Sequence, residues 1–338
     1  QLLMVTGKMA GLRQAATLCA ALLLLNGCAA SRDPLIATTP LALAPLEGAG
    51  WELVWADEFA GDSLDRSKWT PEVSCWGGGN NERQCYTDRP DNIAVEEGLL
   101  LLKARAEPFT GPARPPEIAD MPNPQMRQPY TSGKVRTIGL HAWRYGRIEV
   151  RAKVPPGQGT WPAVWMMPQD NVYGAWPRSG EIDILEAVNM GAICKECEGG
   201  RGENRTISAL HFGDFSPANR FVDSRTALTD LALPSDDFHV YSVEWGEGLI
   251  RFLVDDRVHL TVTADQWGTA SPRAKGKPAA PFDQPFYVMA NLAVGGGLSE
   301  KNNAKGVVAD SFPAQFAIDW IRVYACASDP ETGRACIR

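Results

Sequence analysis

The chain has 338 residues, 44% of them hydrophobic and 22% charged, enough for one large domain or two ordinary ones around a sizeable core. Its formal net charge of −7, with no Lys/Arg block, excludes a non-specific grip on nucleic-acid phosphates. The sequence contains no internal repeat and no P-loop.

The first element in chain order is an export signal. Lys8 and Arg13 precede an apolar run, LCAALLLL (18–25). A basic segment followed by a short apolar one reads as a signal peptide, too short for a comfortable membrane span. LNGC (25–28) follows. A leucine three positions before a cysteine, with glycine just before it, resembles the lipobox of bacterial lipoproteins. That resemblance implies cleavage before Cys28 and lipidation of its sulfur; the alternative is a plain secretory signal with an incidental cysteine. Ala29 in the next position leans, within that pattern, towards the outer membrane. The expectation is an exported lipoprotein of the bacterial outer membrane, on its periplasmic or cell-surface face. It would touch the membrane only through the N-terminal lipid. Gln1 is not a natural start, so Met4 or Met9 is the expected initiator. Residues 1–27 are then the signal, and 28–48 the lipidated cysteine and an Ala/Pro/Thr-rich tether.

Folded sequence begins near Trp51, and short strand-like segments recur from there. They are NIAVEEGLLLLKA (92–104), YGRIEVRAKV (145–154), HVYSVEWGEGLIRFLVDD (239–256), PFYVMANLAV (285–294) and FAIDWIRVYA (316–325). In RIEVRAKV, Ile148, Val150, Ala152 and Val154 share one face, and Arg147, Glu149, Arg151 and Lys153 the other. Period two predicts a strand with one wet side. EWGEGLIRFLVDD predicts strand, turn, strand. No amphipathic helical run exceeds a turn or two. Many strands, Gly/Pro turns and no helical crossovers predict an antiparallel sandwich or barrel.

With Cys19 removed and Cys28 lipidated, six cysteines remain: Cys75, Cys85, Cys194, Cys197, Cys326 and Cys336. An even number in an exported chain suggests disulfides. Fifteen pairings are open, and the local one, Cys75/Cys85, Cys194/Cys197 and Cys326/Cys336, is the cheapest. CKEC (194–197) lacks the second pair or nearby histidines of a zinc site and the βαβ context of a redox motif, so a loop staple is expected.

GEIDILE (180–186) places Glu181, Asp183 and Glu186 among isoleucines and a leucine. Strand alternation puts Glu181 and Asp183 on one face and Ile182 and Ile184 on the other. Strict alternation would turn Glu186 into the core, where an unpaired carboxylate costs several kcal/mol. A β-bulge near Ile184 or Leu185 removes the conflict and returns Glu186 to the face of the other two acids. Two carboxylates flanking a bond, one nucleophilic and one protonated, form the machinery of a retaining glycosidase. A third between them helps split their pKa values. TWPAVWMMP (160–168) and AWPRSG (175–180) add tryptophans and Arg178 beside the acids. Indole faces stack on sugar rings, and polar groups take the hydroxyls.

Taken together, TWPAVWMMP and WPRSGEIDILEAVN resemble glycoside hydrolase family 16, in particular its laminarinase-like branch. WADEFAG, GGNNERQCYT, YTSGKVRT, ALHFG, HVYSVEW, NLAVGG and FPAQFAIDWIRVY agree, from about Trp51 to Cys326. The resemblance implies an all-β jelly-roll sandwich of two antiparallel sheets with a concave substrate cleft. It implies a catalytic domain over 49–326, followed by a C-terminal tail, 327–338. The implied activity is retaining hydrolysis of β-1,3-glucosidic bonds in a β-glucan, usually endo-acting. Alternatives are mixed-linkage glucan or a galactan such as agar or carrageenan, or a non-catalytic β-glucan-binding protein. Carried over by position, Glu181 is the nucleophile, Glu186 the acid/base and Asp183 the assisting carboxylate. Substrate contacts carried over are Trp161, Trp176, Arg178, His211, Asn80 and Asn291. No cofactor is implied for catalysis. A structural calcium would be held by Glu58, the carbonyl of Gly98 and Asp319, oxygen ligands that suit a hard cation. A monomer is expected. The late loop GGGLSEKNNAKG (295–306) lacks the WPG that laminarinases often carry, and the insertion holding Cys194 and Cys197 is unusual.

Overall fold

A computed structural model describes residues 50–115 and 122–337. The signal sequence, Cys28 and residues 29–49 lie outside the described residues. The described residues form nineteen strands, one six-residue α-helix, Gly296–Lys301, and four 3-10 turns. Most strands belong to two antiparallel sheets packed face to face as a jelly-roll sandwich.

The outer sheet has eight strands. At its centre Gly146–Lys153 lies between His239–Gly246 and Ala314–Cys326. The last strand is long because it has two partners on one side. Its first half pairs with Leu99–Ala104 and its second with Trp51–Asp57. The inner sheet has seven strands, in the order Asn219–Ala227, Arg205–Gly213, Glu181–Glu186, Thr160–Pro168, Phe286–Val294, Lys134–Arg136, Thr70–Pro71.

Ile148, Val150, Ala152 and Val154 turn into the core, where they are fully buried with Val164, Met166, Ile182, Leu210 and Val288 of the inner sheet. Each fully buried aliphatic side chain of this size contributes about 1.5–3 kcal/mol. The opposite face of this strand differs from the wet side that period two predicts. Arg147 and Glu149 are only 4% and 5% exposed. Neighbours flank this strand on both sides, so their side chains cover its centre. Arg147 there holds Glu149 at 2.7 Å, Glu244 at 2.8 Å and Asp256 at 2.5 Å. Arg251 also binds Glu244, at 3.0 Å. Only towards the end of the strand, at Arg151 and Lys153, does the face open to water.

Two segments are organised more finely than the pattern suggests. NIAVEEGLLLLKA is a hairpin, Ile93–Glu96 against Leu99–Ala104, turned at Glu97 and Gly98, both with positive φ. Residues 327–337 fold back on the domain. Cys336 is bonded to Cys326, and Ile337 packs in a small cluster with Trp51 and Tyr324. The other two disulfides are Cys75–Cys85 and Cys194–Cys197, so all three are the local pairs.

Candidate active site: three acids on a bulged strand

Glu181–Glu186 lies third from one edge of the inner sheet, between Thr160–Pro168 and Arg205–Gly213. It starts at Gly180, with φ +83°, where a Cβ would stand 2.8 Å from the Phe282 ring. Only glycine tolerates both constraints, so the chain can turn tightly into the strand. The predicted bulge is present. Leu185 pairs with Val164 and Asp183 with Trp165, leaving Ile184 as the extra residue. On the other side Asp183 faces Ala209 and Glu186 faces Ile207, so two residues are opposed by Ser208 alone. Ile182, Ile184 and Leu185 are all buried, while Glu181 and Glu186 stay partly open and Asp183 is 2% exposed between them.

Two of the acids accept an indole hydrogen bond. Trp161 Nε1 donates to Glu186 Oε1 at 2.9 Å, and Trp176 Nε1 donates to Glu181 Oε2 at 2.5 Å. His211 stands directly opposite Glu181, with Nε2 3.3 Å from Asp183 Oδ2. Burial, followed by the charge of Glu181, pushes Asp183 well above the usual carboxylate range. Burial also raises Glu186, against the pull of the Trp161 N–H. Burial alone would lower His211, but its contact with Asp183 and the neighbouring acid charges push it up to about 9. These shifts have one origin: a desolvated carboxylate cluster with an imidazole beside it holds its protons to higher pH than free side chains do.

The three acids line a cavity with Asn80, Trp161 and Asn291. Two residues not singled out from the sequence join them, Glu82 and Trp165. Trp165 was legible as the second indole of TWPAVWMMP; it donates to Asn291 Oδ1 at 2.6 Å and carries the Lys134 ammonium 5.0 Å from its ring centroid. Asn291 in turn donates to the Tyr86 hydroxyl at 3.1 Å, and Asn80 to Glu82 at 3.2 Å. Beyond the acids on the other side, Trp176, His211 and Phe221 follow one another, with centroids 6.3 and 5.7 Å apart. Phe221, on the sheet's edge strand, is 59% exposed and had no motif to announce it. Arg178 is engaged elsewhere: its Nε binds Asp214 at 2.6 Å and its guanidinium lies 4.2 Å from the Phe215 centroid.

The loop lacking WPG is held by another device. Asn189, just past the acid strand, donates to the Ser299 carbonyl at 2.8 Å and accepts from Ser299 Oγ and the Gly159 N–H, both at 2.8 Å. Gly296 in this loop comes so close to Trp161 that a Cβ would stand 3.2 Å from the ring. Cys194 and Cys197 lie near Glu203 as metal ligands could, but their sulfurs are bonded to each other. Glu58 and Gly98 lie beside strand positions whose partners flank Asp319 on the last strand. Asp57 pairs with Ile321, and Leu100 with Ile318. Two carboxylates and a carbonyl suit a hard cation. Here Glu58 binds Arg322, at 2.8 and 2.9 Å, and Asp319 binds Arg151, so a cation would have to displace both arginines.

Known proteins are similar to this chain in sequence and fold. The sequence profile of glycosyl hydrolases family 16 matches residues 80–322. Glucan endo-1,3-beta-glucosidase A1 of Niallia circulans is 38% identical over 285 residues, covering 82% of this chain and 38% of that protein. Beta-glucanase of Rhodothermus marinus is 37% identical over 279 residues, covering 81% of this chain and 85% of that protein. The crystal structure of the laminarinase from Rhodothermus marinus superposes with a TM-score of 0.64 at 35% identity, over 81% of this chain and 97% of the other. A profile spanning most of the sandwich, relatives this similar and a shared fold lead to one statement: the chain belongs to glycosyl hydrolases family 16.

Proposed function

We propose that the protein is a retaining endo-β-1,3-glucanase acting on laminarin-type β-glucans by double displacement. The observation that carries this is the bulge at Ile184, which turns Glu186 onto the face of Glu181 and Asp183 in an open, tryptophan-lined cleft. The Glu181 carboxylate, oriented by the Trp176 N–H, attacks the anomeric carbon. Glu186, whose proton is retained by burial, delivers it to the glycosidic oxygen as that C–O bond breaks. A glycosyl ester on Glu181 results. Glu186, now ionised, takes a proton from water; the water oxygen bonds to the anomeric carbon and releases Glu181. Two inversions return the β configuration. Asp183, between the two, keeps their pKa values apart, and His211 positions it. Trp161 and Trp165 offer platforms for sugar rings, and Asn80 and Asn291 offer polar groups for hydroxyls.

The names of the relatives from Niallia circulans and Rhodothermus marinus favour β-1,3 linkages. Reducing-sugar release by the purified protein should be measured on laminarin, curdlan, barley mixed-linkage glucan, agarose and carrageenan. Strong release from laminarin, abolished by Glu181→Gln, is the expected result. Release only from a galactan would move the specificity, and binding without release from any polymer would make the protein a glucan receptor.

Two further properties belong to this proposal. The LNGC motif supports a domain tethered by lipid at Cys28 to the outer membrane. Radiolabelled palmitate should enter the wild type and not Cys28→Ala. A calcium ion that displaced Arg322 and Arg151 would be held by Glu58, the carbonyl of Gly98 and Asp319. Added calcium should raise the Tm of the chelator-treated protein, and Asp319→Ala should remove that response.

A further inference from the structure

Beneath the bulge, on the core side of the inner sheet, stands a polar chain that the chemistry above does not use. Ser208 lies opposite the bulge and is 3% exposed. Its Oγ–H donates to the carbonyl of Ile184, the extra residue, at 2.9 Å. That hydroxyl has a single hydrogen, so its oxygen can only accept from anything else. Nε2 of His259 is 3.3 Å from it, and Nδ1 of the same ring is 3.2 Å from Ser224 Oγ. His259 therefore carries its hydrogen on Nε2, and the single hydrogen of Ser224 is shared between Nδ1 and the His259 carbonyl, 3.4 Å away. His259 belongs to Arg257–Thr263, the edge strand of the outer sheet, and reaches across the sandwich. Burial and the charge of Arg257 push the ring down to about 4, so it is neutral and donates from one nitrogen.

We propose that Ser208 and His259 are positioning residues that hold the Ile184 bulge, and with it the acid/base Glu186, in catalytic register. A bulge leaves its extra residue outside the regular ladder, and a buried carbonyl there needs a donor. Without one, a full slip to strict alternation is still opposed by the cost of burying the Glu186 carboxylate, so the bulge relaxes locally to find another donor and shifts Glu186 by a fraction of an ångström within the cleft. Glu181 and Asp183 precede the bulge and are paired with His211 and Ala209, so they keep their places. The defect should then be specific to proton delivery. The inference rests on the acid/base role proposed for Glu186.

The test compares Ser208→Ala, His259→Ala, His259→Gln and Glu186→Ala as full-length proteins. Two substrates are used: laminarin, whose sugar leaving group needs a proton, and a 2,4-dinitrophenyl β-laminaribioside, which does not. Rates are expressed per active site, titrated with a 2-fluoro glycoside that traps the ester. Ser208→Ala and His259→Ala should lose about tenfold or more in kcat/KM on laminarin, as expected for displacement by a fraction of an ångström. They should lose less than twofold on the aryl glycoside. His259→Gln retains an N–H donor and should recover most of the laminarin rate. Equal losses on both substrates, or a lower Tm with unchanged rates per site, would reduce Ser208 and His259 to structural residues. If Glu186→Ala itself spares neither substrate selectively, the role of Glu186 has failed, not its positioning.

Discussion

On the outer sheet, Arg147 meets the carboxylates of Glu149, Glu244 and Asp256, each within 2.8 Å, and Arg251 joins at Glu244. On the inner sheet, Glu181, Asp183 and Glu186 are met by two indole N–H groups and one imidazole. Both sets bury several charges, and the difference lies in what answers them. Guanidinium groups neutralise the outer acids, so burial there fixes strand positions. Indole donors orient Glu181 and Glu186 without neutralising them, and a single imidazole answers three carboxylates, so desolvation and then repulsion raise Asp183 and Glu186. Buried acids balanced by arginine serve the fold, whereas acids left close together beside a cleft serve chemistry.

Substitutions should separate the two faces. The largest expected effect is that of Glu181→Gln, which removes the proposed nucleophile. It should lower kcat by about 10³-fold or more with Tm unchanged. Glu149→Ala on the outer face should do the reverse. Arg147 keeps Glu244 and Asp256, so the loss of one charged hydrogen bond should cost about 1.5–3 kcal/mol in denaturant melts, with kcat per folded molecule unchanged. An intermediate effect is expected for Trp176→Phe, which keeps the ring and deletes the donor to Glu181. Loss of one hydrogen bond to a charged group corresponds to about tenfold in kcat.

The smallest effect is one of pH on stability. The folded-state pKa of Glu186 is raised above its ordinary 4.5. Its contribution is therefore fully present below that value and lost as pH rises through the elevated pKa. Glu186→Gln does not ionise and escapes that loss. Its Tm should match the wild type near pH 4 and exceed it at pH 7–8. A constant Tm difference across this range would mean that the burial of Glu186 carries no charge penalty. In the wild type, kcat/KM should fall as pH rises through the same elevated pKa.

Much of the inner face was legible because its rule-breaking is local. Three acids whose spacing violates period two demand a bulge, and the bulge is where parity placed it, at Ile184. The local disulfides and the predominantly strand-built domain were legible for the same reason: short-range pattern determines them. What escaped depends on neighbours distant in sequence. Arg147 and Glu149 look wet until two flanking strands cover them. Phe221 borders the site only because its strand pairs with the one carrying His211. The engagement of Arg178 by Asp214 needs two loops to meet 36 residues apart. His259 reaches the bulge from the opposite sheet, and no spacing within either strand encodes that.

In the proposed reaction Glu181 forms the glycosyl ester and Glu186 moves the proton. Azide tests it directly, with the 2,4-dinitrophenyl β-laminaribioside as donor and the anomeric configuration of the product read by NMR. In Glu181→Ala, azide should take the place of the nucleophile and attack once, giving the α-glycosyl azide. In Glu186→Ala the ester on Glu181 still forms, and azide should displace it to give the β-glycosyl azide. Products of the same configuration from both variants, or the two configurations exchanged, would contradict the assignment.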